Sequence, residues 1–356
     1  MDIFNNEKLI KAILDKEIDY IVIPKTTNLK VILENKLTIC YNITEMTRDL
    51  VFRLGTENKL NNILKKYYKQ WYNDHYIDTF NNNLSNNYYE YTKVEDDSQV
   101  NFKSKRYKYG FVSSVPYDKL INGRLVGYNS EIIKDFSKLS GVEVTYNEYN
   151  SYASLIKDFN ENKIDFFFNP TANNKYEMDV IQIPYIKDED IVVLSNIKNN
   201  LVANSIASLK NNTVLAVTNT LIADNLEKNN IKVKKFDNVE DLINKIDVNS
   251  IIVIDEATYE MYKNSNLKDY EINYNFKLKD EYKYTSRDIK DNKLFNAYFT
   301  FYLNFENTKY TLNRIDYKVF EMENRLAFVK PLLFTTFAII CLIMKILKFI
   351  YYHTED

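Results

Sequence analysis

The sequence of 356 residues is poor in cysteine and histidine, with two of each. Cys40 and Cys341 lie far apart, the second inside an apolar run, so a disulfide framework is not expected. His75 and His353 stand in no ligand-spaced motif, and two histidines cannot supply a histidine-based metal site or a catalytic triad with any redundancy. We interpret both as ordinary surface residues and expect neither a metal nor a cofactor.

Glycine and proline are also scarce, with five of each, whereas tyrosine occurs 30 times. This bias is typical of an AT-rich coding sequence, so a single Tyr or Asn is weak evidence of function. An excess of charge is missing too, because 47 basic residues nearly balance 49 acidic ones without a long block of one sign. Nucleic acid is therefore excluded as a partner.

Catalytic arrangements are missing as well. The sequence shows neither paired carboxylates nor a nucleophile with its base, so the chain is expected not to be an enzyme. What it does contain is 45% hydrophobic residues, enough to build buried cores, and a length that has room for two domains.

Residues 127–171 carry the clearest pattern of secondary structure. Apolar residues in successive segments recur at helical spacing, alternate with polar residues or run continuously. This pattern predicts a helix, a strand, a helix and a strand at Ser130–Leu139, Val142–Tyr146, Tyr152–Asn160 and Ile164–Phe168. Strands that alternate with helices at this spacing predict right-handed crossover units and a parallel sheet.

Further motifs flank this unit in a defined order. A strand at Tyr107–Val112 and a turn containing Pro116 precede it, and a hydrophobic strand ending in Pro-Tyr, Ile181–Tyr185, and the stretch Leu209–Thr220 follow it. In this order the motifs resemble the type II periplasmic solute-binding proteins of amino-acid-binding family 3. The same Venus-flytrap module serves as the extracytoplasmic sensor of membrane-bound bacterial signalling proteins, so the fold alone cannot separate the two uses.

The resemblance implies an α/β fold of two lobes that close on a small molecule at the carboxyl ends of their strands. It places a strand that crosses to the second lobe at Ile191–Leu194, a core strand of that lobe at Ile251–Ile254, and a returning helix at Lys293–Glu306. Both glycines of the family's pattern in Leu209–Thr220 are asparagine here, and asparagine is the non-glycine residue that best tolerates positive φ.

Two charged residues match ligand-binding positions of the family. Asp255 matches the acidic residue that receives a ligand ammonium group, although a helix N-cap explains an Asp at this place equally well. Counting back from Pro184-Tyr185, Lys175 stands where an Arg clamps the ligand carboxylate. A Lys offers a point charge without the planar fork, so the anionic group is held more loosely or the ligand is not an amino-acid carboxylate. An ordinary solvated Lys is the alternative.

Uncharged residues complete the expected site. Tyr117 and Tyr128 match aromatic positions that line the cleft in relatives. Thr171 and Thr220 could supply hydroxyl groups to the ligand, and Asn219 directly precedes Thr220 in the turn of the second lobe. Capping of the following helices would explain either Thr without a ligand.

The N-terminal region contains an apparent internal repeat. Residues 8–36 follow the same course as residues 240–268, with Pro24 opposite Asp255. Residues 1–88 are therefore expected to be the closing half of a first flytrap domain that lacks its opening half and, given Pro24, does not bind an ammonium group. Chance similarity between two compositionally biased segments is the alternative. The start of the chain lacks the pattern of a secretory signal peptide.

The other domain boundaries follow from composition. Residues 89–104 are polar and acidic and are expected to form a linker. The resemblance implies that residues 105–322 form a complete solute-binding domain. Leu326–Met344 carries one charge, Lys330, and spans roughly 28 Å as a helix, close to the thickness of a bilayer core.

We therefore expect a transmembrane helix at residues 326–350, with residues 351–356 as a cytoplasmic tail and the flytrap domain outside the cell membrane. The two lysines that follow the apolar run, Lys345 and Lys348, give this orientation. A shorter interfacial helix is the alternative.

These features favour the sensor portion of a membrane-anchored signalling receptor, in which ligand-driven lobe closure is passed to the transmembrane helix. The alternative is a membrane-tethered substrate-binding component of an ABC-type amino-acid transporter. The expected ligand is an amino acid or a small carboxylate. A homodimer and a cytoplasmic output domain outside this chain are left open, since only eleven residues follow Lys345.

Overall fold

The computed structural model describes residues 6–43, 55, 59–121, 123–171, 176–184, 190–199, 201, 203–278, 282–305, 333–337 and 339–345. Its centre is a pair of lobes, each built on a five-stranded sheet. The chain first forms part of lobe one, crosses to lobe two after residue 184, and returns to lobe one after residue 277.

Lobe one contains a mixed sheet in the order β4-β1-β5-β12-β6, in which β4, β1 and β5 run parallel and β12 runs antiparallel to both its neighbours. Its strands are β1 (Arg106–Val112), β4 (Glu143–Tyr149), β5 (Phe166–Asn169), β6 (Val180–Pro184) and β12 (Lys283–Arg287). The helices α5 (Tyr128–Ser140), α6 (Tyr152–Asn160) and α10 (Lys293–Phe305) pack on it. A hairpin of β2 (Lys119–Ile121) and β3 (Arg124–Val126) precedes α5.

Lobe two has the sheet order β11-β7-β10-β8-β9, in which β10, β8 and β9 run parallel and β7 pairs antiparallel with both β10 and β11. The strands are β7 (Asp190–Asn196), β8 (Thr213–Val217), β9 (Lys232–Phe236), β10 (Ile251–Asp255) and β11 (Tyr270–Lys277). The helices are α7 (Leu221–Lys228), α8 (Val239–Ile243) and α9 (Glu256–Tyr262). The predicted crossing strand, core strand and returning helix are confirmed. The parallel sheet predicted from residues 127–171 is confirmed, since β4 and β5 both pair parallel with β1. One strand of each sheet runs in the opposite direction, β12 in lobe one and β7 in lobe two.

The two cores differ in composition. Lobe one is filled largely by aromatic rings, and Phe136, Phe295 and Phe299 at its centre are at most 1% exposed. Lobe two is aliphatic, with buried Val, Ile and Leu from β7, β8 and β10 on both faces of its sheet. Much of the tyrosine and phenylalanine content therefore serves packing, since an aromatic side chain buries a large apolar area.

The N-terminal region forms α1 (Asn6–Leu14), α2 (Leu29–Glu34) and α3 (Lys59–Thr92). The helices α1 and α2 flank residues 20–24, but these residues form no strand, whereas their counterpart β10 lies between two strands of lobe two. A strand needs such partners for its backbone hydrogen bonds. The assignment of residues 1–88 to a partial domain stays a prediction.

Residues 89–104, which we expect to form a linker, are largely helical. α3 continues to Thr92, and α4 (Asp96–Ser104) follows after three residues. Tyr88 stacks on Tyr298 of α10 with ring centroids 4.0 Å apart, and Phe102 is 3% exposed in the same core. In this polar segment the apolar residues that pack on lobe one are widely spaced. The sequence of residues 89–104 therefore shows no helical periodicity.

Most of the expected transmembrane segment lies outside the described residues. Residues 333–337 and 339–345 are helical, and their large apolar side chains are exposed. Within the part of the chain that the structure describes, no helix combines the length and apolarity needed to cross a membrane.

Candidate functional site

The two lobes touch directly along the carboxyl ends of their strands. The Leu221 N–H, at the start of α7, donates to the Pro170 carbonyl at 2.8 Å. The Lys119 ammonium on β2 forms a salt bridge with the Glu240 carboxylate on α8. The lobes are therefore in a closed arrangement.

A small cavity of about 40 Å³ lies between them. The ends of β1 and β5 line it from lobe one, and the ends of β8 and β10 line it from lobe two. Three of the residues expected to bind ligand, Tyr117, Thr220 and Asp255, line this cavity together. Side chains separated by more than 100 positions in the sequence thus meet at one place.

Asp255 ends β10 and is the N-cap of α9. Its Oδ1 accepts a hydrogen bond from the Thr258 N–H at 2.8 Å, and its Oδ2 lies 2.9 Å from the Thr258 hydroxyl. Burial raises the pKa of the Asp255 carboxyl, while these hydrogen bonds and that of Tyr117 oppose the rise. The N-cap explanation of Asp255 is therefore correct, and it coexists with a position on the cleft.

Tyr117 reaches Asp255 from the opposite lobe. Its hydroxyl donates to Asp255 Oδ1 at 3.1 Å. Its ring stacks on Phe168 with centroids 4.9 Å apart and meets the rings of Tyr128 and Tyr282 edge to face. The aromatic packing of lobe one thus holds a hydroxyl against the carboxylate of lobe two.

The turn after β8 supplies Thr220. Its hydroxyl accepts the Ala223 N–H at 3.2 Å, which caps α7, and donates to the Val217 carbonyl at 2.8 Å. Asn219 adopts the positive φ of 56° that a family glycine would provide, so this turn does survive the replacement. Asn219 does not line the cavity.

The other expected residues lie elsewhere. Tyr128 is buried in the core of lobe one at the start of α5, and its ring touches Tyr117 without lining the cavity. Thr171 is 2% exposed, and its N–H and hydroxyl both donate to Asn169 Oδ1. Lys175 lies outside the described residues, so its part in the site stays a prediction.

A buried polar network stands behind Tyr117. Asp118 Oδ2 accepts hydrogen bonds from the Tyr109 hydroxyl at 2.8 Å and from Asn129 Nδ2 at 2.5 Å. Asn129 Oδ1 in turn accepts from the Tyr284 hydroxyl at 2.6 Å. Burial raises the pKa of Asp118 to about 7, against the lowering effect of its two hydrogen bonds. The network ties the Tyr117 turn to α5 and β12.

An outer chamber of about 320 Å³ adjoins the inner cavity and shares Val112, Ser113 and Asn238 with it. Its polar lining is mainly acidic and comes from both lobes: Glu148, Asp237, Glu240 and Asp241. Among the described residues no cluster of three or more His, Cys, Asp or Glu side chains is arranged to hold a metal ion. The mouth of the cleft therefore favours positively charged groups in general.

Sequence reasoning missed several residues of the inner cavity. Tyr152 begins α6 directly after β4, and Asn238 caps α8 through the Asp241 N–H at 2.8 Å. Both follow strand ends, so a systematic inspection of strand-to-helix turns would have found them. Tyr282 lies where the chain returns from lobe two, and no local signal marks it.

The chain belongs to the bacterial extracellular solute-binding proteins, family 3, whose family model matches residues 108–286, about half of the chain. This match spans both lobes and the cleft between them, and it confirms the resemblance on which the site residues were chosen. No curated protein is similar enough in sequence to match the chain.

Solved structures include several similar folds. The arginine-bound form of a truncated ArgBP from T. maritima is 20% identical, with a TM-score of 0.48 over 59% of this chain and 98% of that one. The ligand-binding core of GluR0 with L-glutamate is 16% identical, with a TM-score of 0.49 over 59% and 97%. The BvgS VFT2 domain from Bordetella pertussis is 12% identical, with a TM-score of 0.49 over 62% and 96%.

Proposed function

We propose that this protein is the extracytoplasmic sensor portion of a membrane-anchored receptor, in which residues 105–322 bind a small solute between two lobes. The observation that carries the proposal is the meeting of Tyr117, Thr220 and Asp255 in the interlobe cleft of a family 3 solute-binding domain. Ligand binding would shift the equilibrium between open and closed lobes, because the ligand contacts both.

Within the ligand class of amino acids and small carboxylates, the charges of the cleft favour a ligand with a positive group. Asp255 stands at the inner end of the cleft, and Glu148, Asp237 and Asp241 stand at its mouth beside Glu240, whose charge is paired with Lys119. A dicarboxylate would meet like charges there, which weakens binding. Lys175 remains our candidate for the ligand carboxylate.

Membrane anchoring is supported by the C-terminal helical residues. Leu333, Phe334 and Phe337 are 62%, 76% and 66% exposed, and Ile339 and Ile340 continue the apolar surface. Such exposure is unfavourable in water and suits a lipid environment. We therefore retain residues 326–350 as a single transmembrane helix with a cytoplasmic C-terminus, able to pass lobe motion to an output domain or to a second copy of the chain.

A substrate-binding component of an amino-acid transporter is the second candidate. It would use the same cleft, and the same family membership supports it. The C-terminal position of the proposed anchor favours the sensor, because only residues 306–325 separate the anchor from α10, which packs on lobe one. Co-purification distinguishes the two: a permease that retains this chain favours transport.

The binding experiment is a thermal-shift screen of the full chain against cationic and neutral amino acids, dicarboxylates, pyridine carboxylates and small peptides. A ligand at about one hundred times its dissociation constant adds roughly 2.7 kcal/mol to the free energy of unfolding. We expect cationic amino acids to raise the melting temperature and dicarboxylates to leave it unchanged. A melting temperature that no compound moves would contradict the proposed solute binding.

Asp255→Asn tests the site residue. Asn keeps an N-cap acceptor for α9 but removes the negative charge, so we expect the fold to persist and binding of any ammonium-bearing hit to fall at least tenfold, about 1.4 kcal/mol. Asp288→Asn, an exposed Asp outside the cleft, is the matched control. Equal affinity in the two variants would exclude Asp255 as the ammonium receptor.

A further inference from the structure

The carboxylate expected to receive the ligand is already engaged by the protein. Asp255 Oδ1 accepts hydrogen bonds from both the Tyr117 hydroxyl and the Thr258 N–H, and Oδ2 accepts from the Thr258 hydroxyl. A carboxylate offers about four acceptor positions. Three of them are therefore in use, and Asp255 is 7% exposed.

The space beside this carboxylate is correspondingly small. The inner cavity measures about 40 Å³, whereas a benzene-sized molecule occupies a cavity of about 150 Å³ and ligand sites measure about 300 Å³ or more. Two waters fit there, but an amino acid does not. An ammonium group that is to take more than the one remaining acceptor position of Asp255 has to displace the Tyr117 hydroxyl.

The contacts that hold the lobes together come from the protein itself. Besides the Tyr117–Asp255 hydrogen bond, the Leu221–Pro170 hydrogen bond and the Lys119–Glu240 salt bridge join the lobes. On the hairpin side, Ile121 of lobe one packs in a cluster with Met261 and Tyr262 of α9. Side chains and backbone groups of both lobes thus contribute directly to the closed arrangement.

We infer that Tyr117 is an internal competitor for the ligand: its hydroxyl latches lobe one to Asp255, and an ammonium-bearing ligand has to displace it. The ligand part of this inference rests on the proposed function, and the latch does not. Aromatic packing positions the hydroxyl, because the Tyr117 ring is 2% exposed and is held by Phe168, Tyr128 and Tyr282. Tyr117 is accordingly a specificity-determining residue, since it makes binding depend on a group that bonds Asp255 better than a phenol does.

The latch is tested by measuring the distance between the lobes in the full chain without added ligand. Spin labels at Asn147→Cys and Lys235→Cys, exposed near the two sides of the cleft mouth, report this distance by double electron–electron resonance in a background of Cys40→Ser and Cys341→Ser. Tyr117→Phe removes the hydroxyl and keeps the ring. We expect a new population at longer distance in this variant and a single short distance in the parent.

Tyr270→Phe is the matched control, because its hydroxyl bonds the Asp247 carbonyl at 2.5 Å within lobe two. It should keep the short distance. Should Tyr117→Phe not fold, Asp255→Asn replaces it, and this weaker acceptor should give a smaller shift in the same direction. A distance distribution in the folded Tyr117→Phe or Asp255→Asn protein that matches the parent would overturn the latch.

Calorimetric titration with L-arginine tests the competition. Removal of the competing hydroxyl raises the binding-competent fraction, so Tyr117→Phe should bind L-arginine up to about tenfold more tightly, or 1.4 kcal/mol. Weaker binding in this variant would make Tyr117 a direct ligand contact and overturn the competition. If Tyr117→Phe opens the lobes while no variant binds any amino acid in the panel, the latch stands and the proposed function fails.

Discussion

Asp118 shows how one buried carboxyl can set the pH response of the whole domain. It is 2% exposed, and its Oδ1 is buried without a hydrogen-bond partner among the described residues. Burial raises its pKa from 3.8 to about 7. The folded state therefore binds one proton more than the unfolded state between about pH 4 and pH 7, and stability falls as the pH rises through this window.

We predict that Asp118→Asn removes this part of the pH dependence. The parent should lose up to about 4 kcal/mol between pH 4 and pH 7.5 from this group, at 1.36 kcal/mol per pKa unit, and the variant should lose much less. Urea denaturation of both proteins at pH 4.5 and 7.5 gives the difference. Asp255, whose pKa burial also raises, contributes with the same sign in both proteins.

The Asp165 carboxyl affects the pH dependence of stability only below this pH window. Burial alone would raise its pKa, but the Lys108 N–H and the side chains of Arg287 and Lys105 outweigh burial and lower that pKa. Its contribution to stability is present above the usual Asp pKa and disappears only in stronger acid.

For the Asp118 prediction, an equal pH dependence of stability in the parent and in Asp118→Asn would refute the role of Asp118.

The start of α5 positions the residue that we place at the centre of the latch. Gly127 is its N-cap with φ of 120°, and the Tyr128 and Asn129 N–H groups donate to the carbonyls of Pro116 and Tyr117 at 3.0 and 3.1 Å. A Cβ at Gly127 would lie 2.3 Å from the Tyr117 carbonyl oxygen. Only glycine permits this close approach of the turn to the helix.

We predict that Gly127→Ala destabilises the domain by more than about 3 kcal/mol, since backbone strain and a steric clash act together. Gly123→Ala is the control: Gly123 also has positive φ, at 76°, but a Cβ there meets nothing within 4 Å. It should cost only about 1 kcal/mol. Thermal melts of the two variants measure their loss of stability relative to the parent. Similar losses of stability would show that the structure relieves the clash at Gly127.

In the whole molecule, the helical N-terminal region is integrated with lobe one. Leu29 and Leu33 of α2 and Leu84 and Tyr88 of α3 belong to the same buried cluster as Phe136. The first part of α3 differs, because its apolar side chains Leu60, Ile63 and Tyr67 are 59%, 56% and 66% exposed. One long helix therefore has an anchored end and an exposed end.

We predict that Tyr88→Ala lowers the stability of the complete domain by about 3–5 kcal/mol, as for other large core truncations. Tyr67→Ala on the exposed end of the same helix should change it by less than about 0.5 kcal/mol. Denaturant melts of the full chain followed by far-ultraviolet circular dichroism compare the two variants. Equal effects would show that residues 59–92 fold independently of lobe one.

Local pattern was sufficient to predict the first helices and strands of lobe one. Apolar periodicity reports which face of a helix or strand is buried, and it correctly indicated α5, β4, α6 and β5. It also placed Asp255 at the end of a buried strand, with the N-cap role that such a place favours. Apolar periodicity did not reveal the helices of residues 89–104, because these helices are stabilised by a few widely spaced residues that pack on lobe one.

No local sequence pattern predicts contacts between residues that are far apart in the chain. Tyr117 and Asp255 are 138 positions apart, and each has a sufficient local explanation, as one of many tyrosines and as a helix cap. Their hydrogen bond exists only because two separately folded lobes close on each other. The sequence of each segment determines, by the spacing of its apolar residues, which face of a helix or strand is buried. The pairing of side chains across a cleft depends instead on the relative position of the lobes.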